Sequence, residues 1–296
     1  GNTNYFGITS RTPVVSNTNY YTTYTSLSTG YTFVLLSVGS SSSSSTIAYL
    51  TYVPGYITGS YQDLYWLFIS AYPPNGVMPH IIISQTSSGA ITNISWYPIL
   101  IKNNQSSPTP SPFQQDIAIC NGTANLGSDF AYINNATLFN QINNDGSNVL
   151  FYNNSLLYSW YEGQENISGV YCDVWWIKLS NGIPANSYIT TYMYVGNLSQ
   201  NFYSQYYPYV GAPRQVLGTS QYDNGNYVFN YYQNWGGLTS LPSGWNNLDS
   251  VSVTYSTNYT QYTQTSANNW YYGLYGYLPS SIAGSSFLLG TYVYSY

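Results

Sequence analysis

Glu162 and Glu165 are the only glutamates in this 296-residue chain, and their three-residue spacing is the first place to look for acid–base chemistry. Glycoside hydrolysis needs two carboxyl groups facing each other across a cleft, roughly 5–10 Å apart. The pair sits in a Gly- and Asn-containing segment between strand-like runs, where a solvated loop is expected and the two need not face each other. Asp63, Asp116, Asp129, Asp145, Asp173, Asp223 and Asp249 are isolated, most of them in turn-like contexts. Ser-His-Asp catalysis would have to use His80, the one imidazole, which opens a strand in Met78-Pro79-His80-Ile81; a structural histidine is expected there. One histidine and two distant cysteines do not make a zinc site. The expectation is therefore no enzyme, no catalytic residues, no metal and no cofactor, with a secreted glycosidase using Glu162 or Glu165 as the third-ranked reading.

Cys120 ends one strand-like run and Cys172 begins another. A bridge closing that separation would be worth roughly 4 kcal/mol in the chain-entropy model; two buried thiols are the alternative. Asparagine sequons occur at Asn93, Asn104, Asn121, Asn135, Asn153, Asn166, Asn197 and Asn258, no more than chance predicts from this composition. Secretion and the need to solubilise an uncharged surface argue that several carry N-glycans. Lys102 and Lys178 stand out by rarity, which raises an isopeptide crosslink to a nearby asparagine against ordinary strand-edge lysines. Trp270-Tyr271-Tyr272 and the run 292–296 offer rings that could stack on sugars, pack in a sheet or form an interface.

Charged residues are 4% of the chain and its net charge is −5, against about a quarter charged in ordinary soluble domains. The basic side chains are Arg11, Lys102, Lys178 and Arg214. Four scattered cations cannot make a phosphate-binding surface, so nucleic acid is excluded as a partner. Disorder is excluded by 38 Tyr, 8 Trp and 10 Phe, which supply ample material to bury. The longest apolar run, Phe33 to Val38, is far short of the ~20 residues of a membrane helix, so no membrane span is expected. Tyr, Asn, Ser and Thr replace charge, and such a surface hardly changes with pH. That points to a hot, acidic exterior. The opening on Gly1, with neither Met nor a signal-like region, is read as a mature secreted form, extracellular and at the cell surface.

The element that must organise these residues is 172–197. Val174, Trp176 and Cys172 alternate with Trp175, Ile177 and Leu179, apolar on both faces, as in a doubly covered central strand. Ser180-Asn181-Gly182 and Pro184 supply turn chemistry, because Gly accepts positive φ and Pro cannot continue a ladder. A second strand over 187–195 then completes a long hairpin. Further strands are expected at 1–12, in a hairpin over 19–38, and at 46–53, 61–71, 80–85, 90–101, 114–120, 149–152 and 156–161. A short helical turn is expected over 137–143, with no sustained helical period elsewhere. The fold class is all-β, as tandem β-sandwiches of jelly-roll or Ig-like type.

Three segments, DGSNVLFYNNSLLYSWYEGQ (145–164), VWWIKLSNGIPANSYITTYMYVGN (174–197) and YDNGNYVFNYYQNW (222–235), carry a family resemblance. Together they resemble a widespread secreted β-sandwich family of archaeal surface proteins, often found directly before a concanavalin-type lectin-like sandwich. The resemblance covers about 95–235 and implies a fold, not an activity. It also implies that an Asn-containing strand such as Trp96 to Asn104 opens the domain, so 103–112 is read as a loop within it rather than a linker. The resulting division is a donor-strand candidate at 1–15, a first β domain at 16–94, a second sandwich at 95–220 and a C-terminal β region at 221–296.

Composition and surface chemistry are also similar to cell-surface filament subunits of thermoacidophilic archaea of the Sulfolobus type. Those adhesive threads are built by donor-strand complementation, and the long apolar helix of type IV pilins is missing from 1–45 here. Two features of the sequence motivate the same device here: a strand-like, sparsely flanked N-terminus, with Tyr5, Phe6 and Ile8 on the donor-strand candidate, and a C-terminal region of about 75 residues, short for a complete lectin-like sandwich and open to packing with the second domain. The expected function is a structural subunit of a glycosylated adhesive filament, a homopolymer with covalent glycans and surface glycans as partners. The alternative is a secreted glycan-binding, lectin-like surface or envelope-layer protein.

Overall fold

The computed structural model describes residues 6–14, 20–26, 30–40, 46–53, 58–59, 61–83, 87–91, 94–123, 131–167, 169–247, 251–265, 274–277, 279 and 286–295. For strand residues before 54, for 87–91, and for 94, 275, 277, 294 and 295, the backbone alone is described. The chain is all-β, and its strands gather into two compact units, one drawn from residues up to Ile69 and from Gln233 onward, the other from 70–232.

The first unit contains two sheets. One runs in the order β1 (Phe6–Val14), β22 (Phe287–Ser295), β5 (Tyr61–Ala71), β20 (Thr260–Gln264), β19 (Val251–Tyr255). The other runs β18 (Trp245–Asn247), β21 (Leu274–Tyr277), β4 (Thr46–Val53), β3 (Gly30–Ser40), β2 (Tyr20–Ser26). The two ends of the chain are thus woven together. Four serial segments are expected from the sequence, but the structure joins the first and last through strand pairing. In particular, the C-terminal region does not stand as a short sandwich of its own, because β5 and β4 supply neighbours for β20 and β21. The core here is aromatic: Gly290 of β22 leaves the space that the Phe68 ring fills, since a Cβ there would lie 2.2 Å from Phe68 Cζ.

The second unit is a sandwich. Its first sheet is β10 (Tyr132–Asn134), β9 (Phe113–Cys120), β14 (Val170–Leu179), β13 (Ser159–Ile167), β16 (Val210–Gly211). Its second is β12 (Ser155–Leu156), β11 (Val149–Asn153), β15 (Ser187–Gly196), β8 (Ile94–Asn103), β6 (His80–Ile83), with β7 (Ser87–Ile91) also on β8. Phe151 of β11 meets Trp175 of β14 edge-on at 6.0 Å between the sheets.

The expected hairpin over 172–197 is not a hairpin. Both strands exist, but β14 lies between β9 and β13 whereas β15 lies between β11 and β8, in the opposite sheet. Each is a central strand with two neighbours in its own sheet, and one hairpin cannot supply four. The link between them therefore crosses from sheet to sheet. Segment 104–112 makes the same crossing from β8 to β9, and the two links are clasped: Thr109 N donates to the Ile183 carbonyl and Ile183 N to Thr109 Oγ1.

β9 is buried along its whole length although it contains Gln114, Gln115 and Asp116. Buried polar groups must be bonded. Gln114 Oε1 accepts from Ala71 N and its Nε2 donates to the Val228 carbonyl; Gln115 Nε2 donates to the Pro79 carbonyl; Asp116 Oδ2 accepts from Ala131 N. These bonds fasten the chain segments that flank the sandwich to its central strand.

Candidate functional site

Pairing at the end of the first unit is the feature closest to the donor-strand expectation. β1 pairs antiparallel with β22 over nine residues, from Phe6 opposite Ser295 to Val14 opposite Phe287, with Ile8 opposite Val293. Tyr5 lies outside the described residues. β1 is the edge of its sheet and β22 its hydrogen-bonded neighbour. β22 is buried on both faces, through consecutive Phe287, Leu288 and Leu289. Thr291 Oγ1 donates to the Trp66 carbonyl, and the Tyr292 ring lies against Tyr65 and Trp66 at 4.8 and 5.8 Å. Tyr292 is thus committed to packing, while 270–272 lie outside the described residues.

Cys120 and Cys172 form a disulfide. They face each other directly across the β9–β14 ladder and pack with Ala118, Val174 and Ile167.

Among the sequons, Asn104, Asn121, Asn166, Asn197 and Asn258 are exposed, Asn135 and Asn153 half-buried, and Asn93 lies outside the described residues. Several hold local structure through Oδ1 rather than through the amide nitrogen. Asn135 caps the helical turn 136–139 by accepting from Leu138 N; Asn166 accepts from Gly169 N; Asn197 accepts from both the N and Oγ of Ser199, its own sequon serine. Asn153 differs, because its Nδ2 donates to the Thr190 carbonyl at 3.1 Å.

The carboxylates are structural in setting. Glu162 and Glu165 lie on β13 rather than in a loop. The ladder with β14 slips between Tyr161 and Gly163, so Glu162 is the extra residue of a bulge. Its buried carboxylate lies on the face that carries Trp160 and Trp176, where Oε2 accepts from Trp176 Nε1 at 2.7 Å. Asp223 accepts from Trp160 Nε1, Gly225 N and the Tyr232 hydroxyl. Among the described residues no three His, Cys, Asp or Glu side chains gather as a metal site, and no helix is long and apolar enough to cross a membrane. Lys178 Nζ donates to the Tyr227 carbonyl at 2.9 Å, and burial pulls its pKa down.

The outer face of the second unit's β11–β15–β8–β6 sheet presents a different chemistry. Alternation sends Ile81, Ile99, Ile101, Thr191, Met193 and Phe151 inward. Outward go Trp96, Tyr192, Tyr194 and Tyr152, with Trp96–Tyr192 and Tyr152–Tyr194 edge-on at 5.5 and 6.3 Å. At one end, His80, Lys102 and Tyr188 stand in register across β6, β8 and β15, all exposed, Tyr188 by 60%. His80 and Lys102 also line a cleft of about 310 Å³ with Asn104 and Gln105. Sequence reading treats His80 and Lys102 as unrelated strand residues and does not single out Tyr188. The signal that unites them is cross-strand register, which becomes readable only once β8 is known to pair with both β6 and β15.

No family model matches the chain, and no solved structure matches it. A stretch of 156 residues, 52% of the chain, is 38% identical to "Uncharacterized protein 562" of Sulfolobus islandicus rod-shaped virus 1. The matched stretch spans 24% of that protein's length, so the likeness is to one part of a much longer chain.

Proposed function

We propose that this chain is a structural subunit of an extracellular, glycosylated adhesive filament whose copies are joined by exchange of β1. The observation that supports the reading is the nine-residue ladder between β1 and β22. Without β1, the doubly buried β22 would present an open row of backbone donors and acceptors, which is a template for another chain. Backbone groups carry no identity, so the β1 of a second copy satisfies that row as well as the chain's own. Made within one chain the ladder closes a monomer; made between chains it propagates head to tail. The relative from a virus of Sulfolobus islandicus is compatible with the hot, acidic setting that the composition implies. Glu162 bonded to Trp176, and Asp223 within its ring of donors, fit a chain whose carboxylates hold structure rather than perform catalysis.

Electron microscopy of the native secreted material at growth pH tests the polymer, and regular fibres with one repeat are expected. A protein lacking residues 1–14 should stay folded and monomeric, and should capture an added 1–14 peptide. Fibres formed by the truncated protein would exclude β1 as the exchanged strand.

A further inference from the structure

We infer that the His80–Lys102 cleft and the adjoining Tyr188 ring form a binding site for an anionic sugar residue of a glycan on another molecule. The chain has four Lys and Arg, one His and a net charge of −5. Two of those five basic groups nevertheless face each other on neighbouring strands and line one cleft. Among the described residues neither has an acidic partner, and none of the residues lining the cleft is acidic. In a chain that places charge so sparingly, a lysine without an acidic partner beside an imidazole at one opening complements an anion.

The rest of the site defines what carries that anion. Tyr188 stands directly beside Lys102, its ring 60% exposed, so an aromatic face adjoins the lysine. A pyranose offers one face of C–H groups to a ring and a rim of hydroxyls to amides. Asn104 and Gln105 supply those amides at the cleft, and Gln105 is held in place by the Asn75 Nδ2 donor at 2.8 Å. From His80 to Tyr188 the row crosses two strand spacings, about 10 Å, enough for a charged sugar and its neighbour. A free phosphate would leave Tyr188 unused, and a neutral sugar would leave the Lys102 charge unused.

The inference deepens the adhesive part of the proposal above and rests on it for biological role, but it does not require polymerisation. Fibres without binding would overturn the site alone, whereas binding without fibres would overturn strand exchange alone. The full chain, made without N-glycosylation, is titrated calorimetrically with oligogalacturonate, a sulfated galactan fragment and a neutral cello-oligosaccharide. One or both acidic probes should bind, more weakly as salt rises, and the neutral probe should not; which acidic probe is tighter identifies carboxylate or sulfate as the anion. Lys102→Gln and Tyr188→Ala should each weaken binding about tenfold, with unchanged melting because both side chains are exposed, while Arg214→Gln has no effect. Equal binding of the neutral probe, indifference to either substitution, or equal loss in Arg214→Gln overturns the site. So does binding that disappears in the native glycosylated protein, which would make the chain's own Asn104 sugar the occupant.

Discussion

The Tyr161 hydroxyl donates to Asp173 Oδ1 across 2.6 Å, joining neighbouring strands β13 and β14 inside the second unit. Both side chains are buried. Burial pushes the Asp173 carboxyl from 3.8 up to about 6, while hydrogen bonds from Tyr161 and Gln164 pull it the other way. Burial and the nearby Asp173 raise the Tyr161 hydroxyl well above 10, so it remains a donor. Asp63 in the first unit is also raised, first by burial.

These shifts fix the sign of the pH dependence. An acid whose pKa is higher folded than unfolded binds more protons in the folded state, so stability falls as pH rises. The Asp173 contribution is complete below about pH 4 and lost by about pH 6, an effect on the order of 3 kcal/mol. Melting temperature should therefore be higher at pH 3 than at pH 7. Asp173→Asn keeps the oxygen that accepts from Tyr161 and should flatten the profile, matching the parent at pH 3 and exceeding it at pH 7. A parent protein that melts higher at neutral pH would contradict this account.

Reducing the Cys120–Cys172 bridge should cost stability without dissolving the sheet. The bridge closes a 52-residue separation, worth about 4 kcal/mol in the loop-entropy model. The β9–β14 ladder continues for seven more residue pairs beyond the bridged one, so reduced protein should keep its far-ultraviolet signature. Urea midpoints with and without reductant, and for the double Cys→Ser variant, measure the difference. A shift close to zero would mean that the ladder already confines the unfolded chain.

Gly182 sits in the link from β14 to β15 because of space rather than conformation. A Cβ there would lie 2.5 Å from both the Thr109 and Pro110 carbonyl oxygens, and Gly182 is not among the glycines with positive φ. Both obstacles are backbone, so they cannot rotate away. Gly182→Ala should force the two clasped links apart and cost about 1–3 kcal/mol, read as a lower urea midpoint. The nearby exposed Ser180→Ala should leave the midpoint nearly unchanged.

How far the sequence carries is visible at these same residues. Alternation locates β14 and β15 to within two residues, because β14 is apolar on both faces and β15 alternates strictly between Tyr or Thr and its inward residues. Turn chemistry marks the link between them correctly but cannot say where it goes: Ser180, Gly182 and Pro184 look alike whether a chain doubles back or crosses a sandwich. The clasp that decides it joins Thr109 to Ile183, residues 74 positions apart. Glu162 is legible as a carboxylate but not as buried, since the indole nitrogen that meets it belongs to Trp176 on the neighbouring strand. The row of His80, Lys102 and Tyr188 is invisible for a related reason, being assembled by register between three strands rather than by spacing along one.

Sequon use should follow the direction of each asparagine's amide nitrogen, because the glycan is attached there. Asn104, Asn121, Asn166 and Asn197 are exposed, and the last three spend Oδ1, not Nδ2, on backbone donors. Asn153 spends Nδ2 on the Thr190 carbonyl of a neighbouring strand. A sugar there would sacrifice that bond, about 1 kcal/mol, and press against β15. Glycopeptide mass spectrometry of the native protein should therefore find high occupancy at these four sites and the lowest at Asn153. Asn153→Ala, which removes the donor outright, should lower stability, whereas Asn166→Gln should remove a glycan at little cost to folding. Full occupancy at Asn153 would show that attachment precedes the pairing of β11 with β15, and the rule would then have to be sought in the unfolded chain.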